Sequence, residues 1–188
     1  YAGIGSRKVP AAVAAAMTAV AQRLEAMGYT LRSGGAVGAD KAFEQGAATK
    51  EIFYAKDANN TTRAIARVIH PAPNALGKFP LDLMARNTNQ IFGRNLDTPV
   101  DFVLTWTPDG VEAASKRTQK TGGTGQAIEM ADRKGIVVIN MANPGWEAKL
   151  EQVLSAARAL PSDNTPATPT ETAPTVGVRP RSPPPIST

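Results

Sequence analysis

The stretch Thr121-Gly122-Gly123-Thr124-Gly125-Gln126-Ala127-Ile128-Glu129 is a glycine-rich turn that runs directly into a predicted helix over residues 124–134. The apolar run Ile-Val-Val-Ile at 136–139 follows that helix after a single glycine and has the composition of a buried strand. Glycines let backbone N–H groups approach a ligand closely, and the N-terminus of a helix favours negative charge. The segment therefore predicts a phosphate-binding turn in an α/β protein.

Two further glycine turns have a similar setting. One, residues 33–40 with the sequence SGGAVGAD, follows a predicted strand over 29–32, and the other, GIGS at 3–6, ends the first predicted strand. Strands alternate with helices along the rest of the chain, which is typical of a single Rossmann-like α/β domain with a mostly parallel sheet and helices on both faces. Such sheets bind ligands at the carboxyl ends of their strands, so we expect all three turns to lie on one edge. The predicted strands are 1–5, 29–32, 51–55, 101–106 and 136–140, and the predicted helices are 10–27, 38–49, 62–68, 80–92, 124–134 and 146–160.

Composition excludes several classes of site. The 188 residues contain no cysteine and one histidine, His70, which rules out disulfides, a thiolate nucleophile and a multi-histidine metal site, so we expect no metal and no cofactor. No apolar run approaches the roughly 20 residues of a membrane span. We therefore expect a cytoplasmic protein with no membrane partner. The net charge of +5 favours anionic ligands, either nucleotides or nucleic acid.

The chain divides by composition at about residue 160. Residues 1–160 carry the strand and helix pattern, whereas 161–188 hold 8 of the 15 prolines, many threonines and no aromatic residue. Such a segment has too little apolar surface to offset the entropy of ordering. We predict one domain over 1–160 and a Pro/Thr-rich disordered tail over 161–188.

The motifs resemble those of a known superfamily. Residues 3–7 (GIGSR), 32–40 (RSGGAVGAD) and the pair Arg86-Asn87 resemble the DprA/Smf family of DNA-processing proteins, in particular compact forms encoded by bacteriophages. The GGTG sequence at 122–125 followed by Glu129 looks like the signature of the LOG family, the lysine decarboxylase-like phosphoribohydrolases. Both belong to the SLOG superfamily of Rossmann-like proteins, and the resemblance spans roughly residues 1–160.

The resemblance implies roles for particular residues. Gly122, Gly123, Thr124 and Gly125 would cradle a phosphate, and Glu129 would bind ribose hydroxyls and assist cleavage of an N-glycosidic bond, with Arg86 as its cationic partner. An ordinary first-turn glutamate, favoured by the helix dipole, is the alternative for Glu129. The chain has Gln126 where the phosphoribohydrolase pattern has a threonine, and Asn87 where that pattern has a lysine.

Further candidates lie on the other two turns and at a strand end. Ser6 could donate a hydrogen bond to phosphate, and Asp40 is placed either to bind a ribose hydroxyl or to cap backbone groups at the start of its helix. Trp106 ends a predicted strand at the ligand edge and could stack on a base. The candidates for ligand binding are Gly5, Ser6, Ser33, Gly34, Gly35, Asp40, Asn87, Gly122, Gly123, Thr124 and Gly125, and those for catalysis are Glu129 and Arg86.

Three functions fit these residues. The first is binding of a nucleotide or nucleoside phosphate, with N-glycosidic hydrolysis of a nucleoside 5′-monophosphate as the associated activity. The second is a DprA-like protein that binds single-stranded DNA on a basic edge. The third is a sensor or sponge that binds a signalling nucleotide without cleaving it, with which Gln126 is compatible. The resemblance also implies a homodimer, because proteins of this superfamily often dimerise.

Overall fold

The computed structural model describes residues 1–159. The predicted tail, 161–188, lies outside the described residues. Five strands form one sheet in the order β3-β2-β1-β4-β5, and every pair is parallel, which confirms the predicted fold class. The strands are β1 (Ala2–Gly5), β2 (Leu31–Ser33), β3 (Lys50–Ile52), β4 (Phe102–Trp106) and β5 (Val137–Asn140).

Six helices cover the sheet, and four single 3₁₀ turns lie in the connections. The helices are α1 (Ala11–Ala26), α2 (Ala39–Gly46), α3 (Asn60–Ile69), α4 (Lys78–Phe92), α5 (Thr124–Arg133) and α6 (Trp146–Ala159). The 3₁₀ turns are Ala55–Asp57, Pro73–Ala75, Ala114–Lys116 and Gln119–Thr121. None of the helices within residues 1–159 has the length and apolar content to cross a membrane.

The sheet separates two apolar clusters. Leu104 of β4 points into one, against α1, α2 and α6, while its neighbour Val103 points into the other, against α4 and α5. Side chains alternate along a strand, so the apolar residues of this central strand supply both faces. This arrangement confirms the prediction of helices on both faces of the sheet.

The helix α2 ends three residues before the predicted position. Glu25 at the end of α1 accepts hydrogen bonds from the backbone N–H groups of Ala48 and Thr49, at 2.8 and 2.7 Å. These bonds hold the chain extended as it enters β3, so the helix stops at Gly46. The packing of α1 on α2 is also close, because a Cβ at Gly46 would overlap the carbonyl oxygen of Thr18.

The helix α3 is longer than predicted because side-chain hydrogen bonds cap its N-terminus. The side chain of Asn59 accepts from the backbone N–H of Thr62 while the Thr62 hydroxyl accepts from the N–H of Asn59, both at 3.0 Å. This reciprocal cap begins the helix at Asn60, two residues before the predicted start.

The strand order creates a switch point beside β1. The chain builds β2 and β3 outward on one side of β1 and then crosses to add β4 and β5 on the other side. Helices leaving β1 and β4 therefore diverge to opposite faces and leave a crevice at the carboxyl ends of these two strands. In open parallel sheets this crevice is the usual ligand position.

Candidate functional site

A cleft of about 480 Å³ opens at the switch point. The end of β1 contributes Gly5 and Ser6, helix α4 contributes Arg86 and Asn87, and the start of α5 contributes Gly122, Gly123 and Thr124. The structure thus brings seven of the predicted site residues together around one space. The remaining lining residues are Ile4, Arg7, Lys8, Ala36, Pro80, Leu83, Met84, Lys120 and Thr121.

The third glycine turn reaches the cleft after a longer connection than the other two. The turns after β1 and β2 follow their strands directly, whereas β4 ends at Trp106 and residues 107–121 intervene before Gly122. The turn lies across the cleft from Ser6, at the carboxyl edge of the sheet.

The charged side chains that line the cleft are cationic. Arg7, Lys8, Arg86 and Lys120 line it, and in the described part of the chain no aspartate or glutamate does so. In the first turn of α5, the N–H groups of Gly125 and Gln126 donate to the carbonyls of Gly122 and Gly123 at 3.1 and 3.3 Å. The dipole of the helix places partial positive charge at this end of α5. The cleft therefore favours an anion, and one large enough to occupy several hundred cubic ångströms.

The turn before α5 is shaped by its glycines. Gly122 has φ +58°, a conformation that favours glycine, and a Cβ at Gly123 would lie 2.8 Å from the Cε of Met84. Asn87 holds the turn by donating from Nδ2 to the carbonyl of Gly123 at 3.2 Å. Its Oδ1 is buried and has no partner within residues 1–159, so one acceptor in the cleft wall is open to a donor group of a ligand.

Asp109 anchors the preceding loop. Its carboxylate accepts from the hydroxyls of Thr118 and Thr121, at 2.6 and 2.5 Å. Partial burial raises the pKa of Asp109, but hydrogen bonds from these and a third threonine, Thr107, outweigh it and hold that pKa below its ordinary value. The ionised carboxylate thereby fixes the residue that immediately precedes Gly122.

Arg86 and Asp40 organise the wall on the β2 side. The guanidinium of Arg86 donates to the carbonyl of Gly34, and its Nη2 lies 3.7 Å from an oxygen of Asp40. Burial lowers the pKa of Arg86, and the nearby Asp40 opposes that shift. The Arg86 side chain is 11% exposed and its Nε has no partner in the described residues, so it can still donate to a ligand.

Asp40 lies beneath two glycine turns. Its Oδ1 accepts from the N–H of Gly5 at 3.3 Å, and its Oδ2 accepts from the N–H groups of Gly34 and Ala36 at 3.1 and 3.3 Å. Burial raises the pKa of Asp40 to about 6, against the lowering effect of Arg86 and of these N–H donors. The donors are backbone groups of the two turns that precede α2 and not of the helix start, where no side-chain cap is present, so Asp40 ties the ends of β1 and β2 together.

The structure places the other candidates outside the cleft. Ser33 is fully buried and its hydroxyl donates to Glu44 at 2.8 Å. Glu129 is 7% exposed, and its two oxygens pair with Arg117 at 2.8 Å and Arg133 at 2.6 Å. It does not line the cleft that contains Arg86, so the two predicted catalytic groups are not brought together in this conformation.

Two more cavities adjoin the cleft, one on each side. The first, of about 490 Å³, lies toward β3, shares Arg86 with the cleft and is lined also by Gly34, Gly35 and Tyr54. The second, of about 500 Å³, lies toward α3, shares Gly122 and Gly123 and includes the predicted residue Gly125. Together with the cleft, with which each shares lining residues, they lie side by side along the carboxyl edge, and we call the three spaces the groove.

The sequence-based prediction missed several residues of the groove, among them Lys8, Lys120 and Tyr54, and misplaced one. Lys8 and Lys120 flank predicted turns, and Tyr54 comes two residues after β3, so adjacency to strand ends and glycine turns was the available signal. Trp106, the predicted stacking residue, instead packs against the apolar cluster beneath α1, α2 and α6. Comparison of the chain with protein-family models, with curated proteins and with solved structures found no match.

Proposed function

We propose that the protein binds a nucleoside phosphate, with the phosphate in the switch-point cleft against the N-terminus of α5. The observation that carries the proposal is the convergence of four cationic side chains and a helix N-terminus on a cleft whose wall, within residues 1–159, contains no carboxylate. A phosphate dianion satisfies both features, since it accepts several hydrogen bonds at once and carries the complementary charge.

The size of the groove supports a ligand larger than free phosphate. The cleft alone encloses about 480 Å³, and the open acceptor of Asn87 suits a donor such as a ribose hydroxyl. We also propose that the chain is a SLOG-type protein. The parallel order β3-β2-β1-β4-β5, with glycine turns at the ends of β1 and β2, is consistent with that resemblance and is shared with many other Rossmann-like proteins.

Hydrolysis of an N-glycosidic bond by Glu129 stays a prediction. Its carboxylate is neutralised by Arg117 and Arg133, and Arg117 itself lines the cavity toward α3. A ligand phosphate that draws Arg117 away would free one oxygen of Glu129. Catalysis by Glu129 thus requires this ion pair to open, whereas binding without cleavage, as in a sensor or sponge, does not.

The test is calorimetric titration with AMP, GMP, CMP and UMP, combined with thermal unfolding. At a concentration 100 times the dissociation constant, a ligand adds about 2.7 kcal/mol to the free energy of unfolding, which for a domain of this size raises the Tm by roughly 5–10 °C. Absence of any stabilisation by millimolar nucleotide would refute the proposal. Each mixture is then chromatographed: free base from the wild type but not from Glu129→Gln indicates hydrolysis, and intact nucleotide indicates binding alone.

A matched pair of variants tests the location. Lys120→Ala removes one positive charge from the cleft, and Lys134→Ala removes one from the exposed far end of α5. We expect the first to weaken nucleotide binding by about 3- to 10-fold and the second to leave it unchanged, because an exposed charge at the other end of the helix is screened. An equal loss of nucleotide affinity in the two variants would indicate that the net charge of the protein alone attracts the nucleotide.

The side-by-side arrangement of the three cavities favours single-stranded DNA as the second candidate ligand. Six cations line the groove as a whole, namely Arg7, Lys8, Lys56, Arg86, Arg117 and Lys120, and within the described residues no carboxylate does. Such a groove matches a chain of phosphates better than it matches a single one.

Length and salt dependence distinguish this candidate. The measurement is fluorescence anisotropy with labelled oligothymidylates of 2, 6 and 12 nucleotides. Binding across three phosphates predicts affinity that rises with length and falls with salt with a logarithmic slope of about −2. Affinity that is the same for the dinucleotide and the 12-mer would refute polynucleotide binding and leave the mononucleotide proposal intact.

A further inference from the structure

The cavity toward β3 differs in character from the switch-point cleft. Its wall includes the apolar side chains of Val37, Tyr54 and Leu83. Val37 is 66% exposed and Tyr54 is 43% exposed, although both are large enough to favour burial. Exposed apolar groups gathered at the edge of a binding groove are typical of a surface that a ligand covers.

The Tyr54 ring is held in position by its neighbours. Gly35 has φ +68°, and a Cβ there would lie 2.8 Å from Cε1 of Tyr54, so the backbone of the second glycine turn lies against the ring. The ammonium group of Lys56 lies 5.6 Å from the ring centroid. A positioned aromatic ring at a cavity wall offers a stacking surface at little further entropic cost.

The two spaces are adjacent. Arg7, Ala36, Leu83 and Arg86 line both the cleft and the cavity beside Tyr54. A ligand whose phosphate occupies the cleft is therefore placed to extend past Arg86 into a compartment with apolar side chains and an aromatic ring in its wall. Its wall includes the cations Arg7, Lys56 and Arg86 and, in residues 1–159, no carboxylate.

We propose that this cavity is the base subsite of the ligand: a nucleobase stacks on Tyr54 while the phosphate of the same nucleotide lies in the switch-point cleft, with Arg86 between them. The inference rests on the proposed nucleotide-binding function and adds the location and recognition of the base. It predicts a ligand with a flat aromatic group, and it excludes a sugar phosphate as the preferred ligand.

The experiment compares each nucleoside 5′-monophosphate with ribose 5-phosphate, which carries the same phosphate and no base. For the wild type we expect at least one nucleotide to bind about 5- to 100-fold more tightly than ribose 5-phosphate, the range for stacking one base on an aromatic side chain. In Tyr54→Ala this advantage disappears while affinity for ribose 5-phosphate is unchanged. Tyr54→Phe keeps the ring and the advantage.

Phe79→Ala is the matched control, since Phe79 is an aromatic residue that is 65% exposed and lies outside the walls of the groove. We expect it to bind every ligand as the wild type does. Equal nucleotide affinity in Tyr54→Ala and wild type, or an equal loss for nucleotides and ribose 5-phosphate, would overturn the base subsite while leaving the proposed function standing. Binding of neither ligand by the wild type would overturn both.

Discussion

Gly34→Ala should weaken ligand binding while leaving the stability of the fold nearly unchanged. A Cβ at position 34 would lie 2.9 Å from Nε of Arg86 and would overlap its Cζ and Nη1. Carbon and nitrogen atoms rest at about 3.5 Å or more, so the guanidinium must move by roughly 1 Å. Because it is the end of a flexible side chain, it can move without displacing the backbone.

We expect Gly34→Ala to lower the affinity for the ligand. Movement of Arg86 removes one hydrogen bond to a charged group, worth about 1.5–3 kcal/mol, although the charge stays nearby and keeps part of the attraction. We therefore expect a loss of about 10-fold in nucleotide affinity. Stability should change by less than about 1 kcal/mol, since Gly34 does not have positive φ and alanine restricts the unfolded chain.

Gly46→Ala should have the opposite effect and lower the stability of the fold while leaving ligand binding nearly unchanged. There a Cβ would overlap the backbone carbonyl of Thr18, so α1 and α2 must separate, at a cost of about 1–3 kcal/mol, far from the cleft. Calorimetry for binding and urea denaturation for stability are measured on both variants. Gly77→Ala is the control without overlap, because its Cβ would meet nothing closer than 3.8 Å, and we expect it to cost about 1 kcal/mol or less since Gly77 is the N-cap of α4. Wild-type affinity in Gly34→Ala would refute the assignment of Arg86 to the ligand.

Three more outcomes follow from the charges around the cleft. Burial raises the folded-state pKa of Asp40 from 3.8 to about 6, so its contribution to stability is present at low pH and is lost as pH rises through 6. Relative to Asp40→Asn, the free energy of unfolding of the wild type should fall by about 2–3 kcal/mol between about pH 3.5 and pH 7, and a flat difference in urea denaturation would contradict this. For Asp109 the dependence is opposite: folding lowers its pKa, so its contribution to stability is present at neutral pH and is lost as the pH falls below the ordinary value of 3.8. Asp109→Ala should cost about 2 kcal/mol at pH 7 and progressively less on acidification, measured in the same way. Asn87→Asp replaces the amide by a carboxylate of nearly the same shape and so places a negative charge in the cleft wall. It should weaken nucleotide binding about 10-fold or more in calorimetry. Unchanged affinity would place the phosphate elsewhere.

Much of the architecture could be predicted because its causes are local. The alternation of apolar runs with helical periodicity predicted five strands and six helices, and most boundaries lie within two residues of the observed ones. The glycine turns at the ends of β1 and β2 indicated which edge of the sheet faces the proposed ligand. The errors at α2 and α3 come from side chains, Glu25 and Asn59, that hydrogen-bond to backbone groups and override the local pattern.

The candidate site was harder to predict because its contacts join distant parts of the chain. Arg86 reaches a carbonyl 52 positions away, and Asn87 reaches one 36 positions away. The pairing of Glu129 with Arg117 depends on how residues 107–121 fold back, which has no periodic pattern. Trp106 ends β4 and Tyr54 comes two residues after β3, yet the first packs against the core and the second remains exposed at the groove.

By itself the sequence determined a parallel α/β sheet, its helices and the glycine turns at its carboxyl edge, since periodicity and backbone conformation act over a few residues. Only the tertiary structure decided that four cations and the start of α5 surround one cleft, that Asp40 lies beneath two turns, and that Glu129 is ion-paired outside the cleft. These depend on the strand order, which sets which loops meet across the switch point and therefore which charges share a space.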